Sequence, residues 1–191
     1  MSSLQPQHVP PSLEEQRAAF ARSRFLAMPL AGLIAWTIIG ISGALLPPSR
    51  AVLVLFIAAG SIVYLGMLIS RFTGEHFLQR SRARNAFDGL FFHTVAMALL
   101  VFAIAIPFFQ ADYTSLPLTV GILTGLMWVP LSWIVEHWIG VFHAVARTIL
   151  VTAAWYLFPH LRFVLIPTVI VAIYAITIYV LERRWRQLLR A

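Results

Sequence analysis

The sequence contains no cysteine and no lysine, and only 11% of its 191 residues are charged. The absence of cysteine excludes disulfides, thiolate chemistry and cysteine-ligated metal sites. A soluble domain carries about 25% charged residues. The shortage of charge, together with a hydrophobic content of 60%, therefore excludes a water-soluble globule. Disorder and collagen-like structure are also excluded, because glycine and proline are ordinary in number and the sequence is neither polar nor repetitive. An integral membrane protein remains.

Six stretches of the chain are long and apolar enough to cross a bilayer, whose core of about 30 Å needs about 20 residues of helix. They are Leu26–Leu46, Ala51–Ser70, Asp88–Phe109, Leu116–Val135, Ile139–Phe158 and Arg162–Leu181. The fourth and fifth run together without an obvious break. We place their turn at Glu136–Gly140, where a charged residue coincides with a glycine; without this turn the chain would cross five times. The sequence predicts an all-α polytopic bundle of six transmembrane helices.

The segments outside the spans are polar. Residues 1–25 contain no apolar run of the kind that a signal peptide needs, so we expect the first span to remain as an anchor. Within them, Ser12-Leu13-Glu14-Glu15 is a capping-box pattern. It predicts a short helix from Ser12 to Arg24, which we expect to lie on the membrane surface because its apolar face is thin. We therefore divide the chain into residues 1–25, a transmembrane domain at 26–181 and a basic tail at 182–191.

Arginine is the only strongly basic residue, and the fourteen arginines outnumber seven acidic residues to give a net charge of +7. With six spans, eleven arginines fall on the side of the termini and two, Arg50 and Arg162, on the other side. Basic residues collect on the cytoplasmic side of membrane proteins. This asymmetry predicts that both termini are cytoplasmic and explains the positive charge without a nucleic-acid partner. We expect the arginines of the loop between spans two and three to contact anionic lipid headgroups; they are Arg80, Arg82 and Arg84.

The remaining arginine, Arg147, lies inside the fifth span, where ionisable groups are costly and are functional candidates. His143 precedes it by one helical turn, so the two side chains share a face that should point into the bundle. The alternatives left open are a substrate or ion role, and a structural role in which Arg147 reaches the headgroups or pairs with a neighbouring helix.

Four more ionisable residues are expected in the same third of the membrane, towards the cytoplasm: Asp88, His93, Glu136 and His137. Among them, Glu136 is the expected ion-pair partner of Arg147, because opposite charges favour each other's ionised form. The histidines and Glu136 carry atoms that could bind zinc. The sequence has no H-E-x-x-H signature, however, and His137 and His143 are six residues apart. We therefore predict neither a metal nor a cofactor.

Small residues line two of the spans at helical spacing. Gly121 and Gly125 form a GxxxG pattern, which lets helix backbones approach closely, and Gly32, Gly40 and Gly43 form a comparable stripe in the first span. Such stripes are usually packing seams. The alternative is a cavity lined by four side chains: Trp36, Trp128, Tyr174 and Thr177.

The pattern Leu116-Pro117-Leu118…Gly121-Ile122-Leu123…Gly125…Pro130…Trp133 resembles the central signature of a family of small bacterial multi-pass membrane proteins of unknown function. The resemblance covers mainly spans three to six. It implies a multi-pass protein of the bacterial inner membrane and assigns no catalytic residues.

Taken together, these features favour the passage of a small solute or ion, with Glu136, His143 and Arg147 as a binding or gating element. A membrane-embedded enzyme that acts on a lipid or isoprenoid through its histidines is the first alternative. A non-catalytic subunit or scaffold, which could form a homo-oligomer, is the second.

Overall fold

The computed structural model of the chain describes residues 11–75 and 85–190. Nine α-helices occupy these ranges: α1 (Leu13–Ala21), α2 (Ala27–Leu45), α3 (Pro48–Thr73), α4 (Ala86–Leu100), α5 (Phe102–Ala111), α6 (Leu116–Leu123), α7 (Trp128–Val135), α8 (Ile139–Leu157) and α9 (Arg162–Leu188). Short 3-10 turns at Tyr113–Ser115 and Pro159–Leu161 precede α6 and α9. Arg80, Arg82 and Arg84 lie outside the described residues.

The six predicted spans are confirmed as helical segments long and apolar enough to cross a membrane. They run over Ala27–Leu45, Pro48–Thr73, Ala86–Ala111, Tyr113–Val135, Ile139–Leu157 and Pro159–Leu188. Large apolar side chains remain exposed on their outer faces, among them Leu53, Ile57, Leu100 and Ile149. Water would penalise these apolar surfaces and lipid does not. The chain is therefore a membrane-embedded helical protein.

The predicted turn between the fourth and fifth spans is also confirmed. The helix α7 ends where Glu136 adopts the left-handed conformation (φ 50°), and the Ser132 hydroxyl donates to the His137 carbonyl at 2.5 Å. The helix α8 begins three residues later. A left-handed residue reverses the chain in a few residues, so this turn separates two spans that hydropathy alone would join.

Two of the six spans are interrupted. The third is divided at Val101, and the fourth leaves α-helical geometry between Leu123 and Trp128. In the second interruption, Gly125, Leu126 and Val129 each donate their N–H to the carbonyl three residues earlier, which is 3-10 geometry. Pro130 has no N–H to donate to the Leu126 carbonyl, so the ordinary α-helical bond cannot form there.

The centre of the bundle is built on α2 and α9. The helix α2 packs against α3 and α9, while α9 also packs against α8, and α6 and α7 pack against α8. Fully buried side chains fill the space between these helices, including Trp36, Leu55, Leu116 and Ile170. A polar side chain on the inner face of one of these helices is therefore enclosed.

The helix α1 has the predicted capping box: Ser12 Oγ accepts from the Glu15 N–H at 3.2 Å and the Glu15 carboxylate accepts from the Ser12 N–H at 2.7 Å. It is not a free surface helix, however. It packs against α4 and α7, Phe20 is buried beside Phe87 and Phe91, and Asn85 Nδ2 donates to the Gln16 carbonyl at 2.7 Å. These contacts fix α1 across one end of the bundle, which we call the α1 end.

Ion pairs and hydrogen bonds join four other segments at the α1 end. Arg24 forms a two-pronged pair with Glu182 of α9, with both N···O distances at 3.0 Å. The Glu75 carboxylate accepts from the N–H groups of Leu26 and Ala27 at 2.9 and 2.8 Å, so a residue that follows α3 caps the start of α2. Burial raises the pKa of Glu75, and the two backbone donors oppose that effect.

The helix α9 continues to Leu188, so most of the predicted basic tail is helical.

Candidate functional site

The polar centre of the bundle surrounds Arg147, whose side chain is completely buried. Arg147 is the ninth of the nineteen residues of α8. It therefore lies near the middle of its helix, with its side chain enclosed by the bundle. Six other side chains from five helices or their ends contact Arg147 or its neighbours. We call the seven residues the Arg147 cluster: Trp36, Thr124, Trp128, His143, Arg147, Tyr174 and Thr177.

The guanidinium of Arg147 is held by neutral groups. Its Nη2 donates to Thr124 Oγ1 at 3.0 Å and its Nη1 donates to the Tyr174 hydroxyl at 3.3 Å. Its Nη1 also contacts His143 Nε2 at 3.4 Å. The guanidinium carbon also lies 5.2 Å from the Trp36 ring centre and 5.6 Å from that of Tyr174, which is within cation–π range.

The contacts of His143 determine which ring nitrogen carries its proton. Arginine can only donate hydrogen bonds, so the Nε2 that faces Arg147 accepts. The proton is then on Nδ1, which donates to Thr177 Oγ1 at 2.9 Å, and the Thr177 hydroxyl in turn donates to the Ile173 carbonyl at 2.8 Å. This chain of bonds requires a neutral imidazole, so His143 contributes no charge to the cluster.

Aromatic rings enclose the imidazole on two sides. The Trp128 ring stacks on His143 with the centres 4.4 Å apart, and the Tyr174 ring meets it edge-on at 4.8 Å. Trp128 is the first residue after the interruption of the fourth span, and Thr124, which contacts Arg147, is the first residue within it. Residues at both ends of the interruption therefore lie against the His143–Arg147 pair.

Glycines make the space that the cluster occupies. A side-chain carbon added at Gly125 would lie 2.8 Å from Arg147 Cδ, and one added at Gly32 would overlap the ring of Tyr174. Contacts below 3.0 Å force the neighbouring atoms to move. The two glycine stripes therefore serve the site as well as the packing of the helices.

The predicted ion pair of Glu136 with Arg147 is wrong. Glu136 is exposed in the α7–α8 turn and pairs with Arg17 of α1, with the N···O distance at 2.6 Å. The left-handed turn at Glu136 directs this carboxylate to the outside of the bundle, and α1 lies across that end. The ion pair between Glu136 and Arg17 stabilises the docking of α1, and Arg147 does not pair with Glu136.

None of the seven acidic residues neutralises Arg147. All seven lie within the described ranges, and none of them forms an ion pair with this arginine. Three of the other buried or half-buried arginines do have such partners: Arg17, Arg24 and Arg162 pair with Glu136, Glu182 and Asp112. Among the described residues, Arg147 is therefore the one arginine that is completely buried, and none of the acidic residues pairs with it.

Two N–H groups of the cluster also have no hydrogen-bond partner among the described residues. They are Nε of Arg147 and Nε1 of Trp36, and both atoms are fully buried. Buried polar groups are nearly always hydrogen-bonded. One uncompensated positive charge and two free donors together make the cluster chemically complementary to an anion.

The other ionisable residues predicted at the site lie elsewhere. The exposed His93 ring bonds to the Gly89 carbonyl of its own helix at 2.7 Å, and His137 accepts from the Ile139 N–H in the α7–α8 turn at 3.3 Å. Asp88 stands in the first turn of α4. Within residues 11–75 and 85–190, no three histidine or acidic side chains come together as metal ligands would. The four residues proposed as a cavity lining, in contrast, all belong to the Arg147 cluster.

Thr124 was not among the residues predicted for the site. The available signal was a hydroxyl residue beside Gly125 in an otherwise apolar stretch, four residues before Trp128.

Comparison with known proteins gives a family and no activity. The model of a family described as "Family of unknown function (DUF7010)" matches residues 13–184, nearly the whole chain. No curated protein and no solved structure matches the chain.

Proposed function

We propose, for a chain that belongs to the DUF7010 family of unknown function, that it binds a small monovalent anion at the Arg147 cluster and lets that anion cross the membrane. The observation that carries the proposal is the completely buried guanidinium of Arg147, which none of the seven acidic side chains, all of them in the described ranges, neutralises. Placing an arginine at the centre of a membrane helix costs about 2.5–3.5 kcal/mol. A bound anion would offset that cost.

The charge balance of the cluster favours one negative charge. Arg147 supplies a single positive charge, since His143 is neutral and the remaining members are uncharged residues. A divalent anion would leave one charge uncompensated in a medium of low dielectric, which costs several kcal/mol. The free donors on Arg147 and Trp36 suit halides and small monovalent oxyanions, because each of these accepts hydrogen bonds from several directions.

The interrupted fourth span supports passage in addition to binding. Interrupted helices line substrate and ion sites near the middle of many transporters, where backbone that is not α-helical can bend around the solute. Here the interruption between Leu123 and Trp128 lies against Arg147. On the side of the α1 end, a small cavity of about 10 Å³ is lined by residues that include Trp128, His137 and Gly140. The cavity lies between the α7–α8 turn and the cluster and has room for about one water.

We further infer that both termini are cytoplasmic and that the protein resides in a bacterial inner membrane. The arginine distribution supports this orientation. The α1 end carries the arginines of α1, of the end of α3 and of the end of α9, whereas Arg50 and Arg162 stand at the opposite end. A small anion entering from the α1 end would then come from the cytoplasm.

Anion-dependent stability tests the binding part of the proposal. The protein is placed in nanodiscs of zwitterionic lipid, and its thermal unfolding is followed against sodium gluconate, chloride, nitrate and sulfate at matched ionic strength. A ligand that binds only the folded protein stabilises it by about 2.7 kcal/mol at 100 times its Kd. We expect chloride or nitrate to raise the midpoint in a saturable way. Equal effects of all four salts, or a larger effect of sulfate, would refute a site for monovalent anions.

A further inference from the structure

A groove on the surface of the bundle combines an apolar part with a basic part. It lies between α2 and α9 and has a volume of about 760 Å³. Its apolar part is formed by Leu30 and Leu33 of α2 and by residues of α9 up to Tyr179, whose side chain is 66% exposed. Its basic part is formed by Arg183 and Arg186 of α9 and by Arg190, which follows the helix.

The two parts follow each other along one face of α9. Ile178 and Tyr179 follow Ala175 by three and four residues. Successive arginines, Arg183, Arg186 and Arg190, are also three and four residues apart. The whole series therefore lies on one side of the helix. At 1.5 Å per residue, the apolar residue Ile178 and Arg186 are separated by about 12 Å along the axis. The groove thus changes from hydrocarbon-like to cationic over the distance between the acyl chains and the phosphate of a phospholipid.

The positive charge of the groove is not balanced by the protein. Glu182 is the one acidic residue that lines it, and both of its oxygens already bind Arg24, with Arg186 sharing one of them at 3.2 Å. Arg183 and Arg190 form no ion pair with any of the seven acidic residues, all of which lie in the described ranges. A second copy of the chain seated here by two-fold symmetry would bring like charges together, whereas an anionic lipid would neutralise them.

From this combination we infer that the α2–α9 groove is a binding site for one anionic phospholipid, with an acyl chain along Leu30, Leu33 and Ile178 and the phosphate among the three arginines. This site is separate from the Arg147 cluster and does not depend on the proposed passage of an anion. Its arginines are also different residues from the loop arginines at 80, 82 and 84, which any inside-positive loop would carry.

Native mass spectrometry of the detergent-purified full chain tests the inference with phosphatidylglycerol and phosphatidylcholine as probes. We expect one phosphatidylglycerol to be retained per chain in preference to phosphatidylcholine. One kcal/mol per arginine corresponds to about fivefold in affinity, so the triple variant Arg183→Gln, Arg186→Gln, Arg190→Gln should bind phosphatidylglycerol roughly 100-fold more weakly. The triple variant Arg80→Gln, Arg82→Gln, Arg84→Gln removes the same charge and should retain the lipid.

A steric variant tests the apolar half without changing any charge. Ala175→Trp fills the groove and should abolish retention of the lipid, whereas Ile57→Trp, at an exposed position of α3, should not. Equal losses in both arginine variants would overturn the inference, since total charge would then account for binding. Retention of the lipid by Ala175→Trp would also overturn the inference. A wild-type protein dimer that Ala175→Trp dissociates and Ile57→Trp does not would overturn it too, because a second copy of the chain would then occupy the groove.

Discussion

Replacing Arg147 with methionine is expected to abolish the stabilisation by monovalent anions while leaving the protein folded. Methionine keeps the apolar stem of the side chain and removes the charged guanidinium. None of the seven acidic residues pairs with Arg147, so no unpaired charge is left behind. The loss of the hydrogen bonds to Thr124, Tyr174 and His143 costs about 1–3 kcal/mol, and the removal of a buried arginine returns about 2.5–3.5 kcal/mol. Because these effects oppose each other, we expect the free energy of unfolding in gluconate to stay within about 2 kcal/mol of the wild-type value.

The response to chloride or nitrate is the quantity that should change in Arg147→Met. The wild-type protein gains stability as the anion concentration rises, and the variant should show no gain. Arg50→Met is the matched control, since Arg50 is an exposed arginine in the first turn of α3, and it should respond as the wild type does. If Arg147→Met is strongly destabilised in gluconate and neither protein responds to anions, the arginine is a structural residue and the proposed site is wrong.

Adding a single methyl group at Gly32 is expected to disrupt the cluster from a different helix. The new carbon of Gly32→Ala would overlap the ring and hydroxyl of Tyr174, which holds Arg147 and borders His143. Overpacking of this kind costs about 1–3 kcal/mol. Because the ring must move away from Arg147, the anion response should weaken together with the stability. Both quantities are measured in the same unfolding titrations.

Gly60 provides the comparison for Gly32→Ala. It also lies inside a long helix, α3, and a carbon added there has no atom within 4 Å. Alanine is favoured over glycine in helices by about 0.5–1 kcal/mol, so Gly60→Ala should leave the stability unchanged or raise it, with a normal anion response. A second comparison is the double variant Gly32→Ala, Tyr174→Leu, which should recover part of the stability without recovering the anion response. A Gly32→Ala protein as stable and as responsive as Gly60→Ala would contradict the described packing.

The spans could be predicted from the sequence because the thickness of a bilayer fixes the length of an apolar helix. The difficult turn was found for a local reason, since the charged residue Glu136 lies close to Gly140 in a long apolar run. The interruption of the fourth span was not predicted. Its cause is a missing hydrogen bond at Pro130, and proline inside a membrane helix is often accommodated without a break.

The docking of α1 against α4 and α7 was also not predicted, because it depends on residues far away in the sequence. Its apolar face is thin, and what holds it is Phe20 together with hydrogen bonds and an ion pair to residues 69 or more positions away. A local sequence pattern such as the capping box predicts that a helix forms. It carries little information about the distant residues that the helix will contact.

The site was partly predictable in the same sense. The four-residue spacing placed His143 and Arg147 on one buried face, which needs only the period of a helix. The partner assigned to Arg147 was wrong because the choice among distant carboxylates depends on how helices pack. Trp36, Trp128, Tyr174 and Thr177 were grouped as a possible cavity lining, yet nothing in the sequence placed them around the arginine. The structure unites the two groups in a single cluster.

Anion uptake by proteoliposomes tests the central claim, that an anion bound at Arg147 crosses the membrane. Purified protein is reconstituted into vesicles containing a halide-sensitive dye, and chloride entry is driven by a potassium diffusion potential. We predict chloride entry at least about tenfold faster than in protein-free vesicles, which corresponds to a barrier lower by about 1.4 kcal/mol. Arg147→Met should lose this acceleration. Sulfate should not enter at a comparable rate. Equal chloride entry through the wild type and Arg147→Met would contradict the claim, and so would anion binding without any entry.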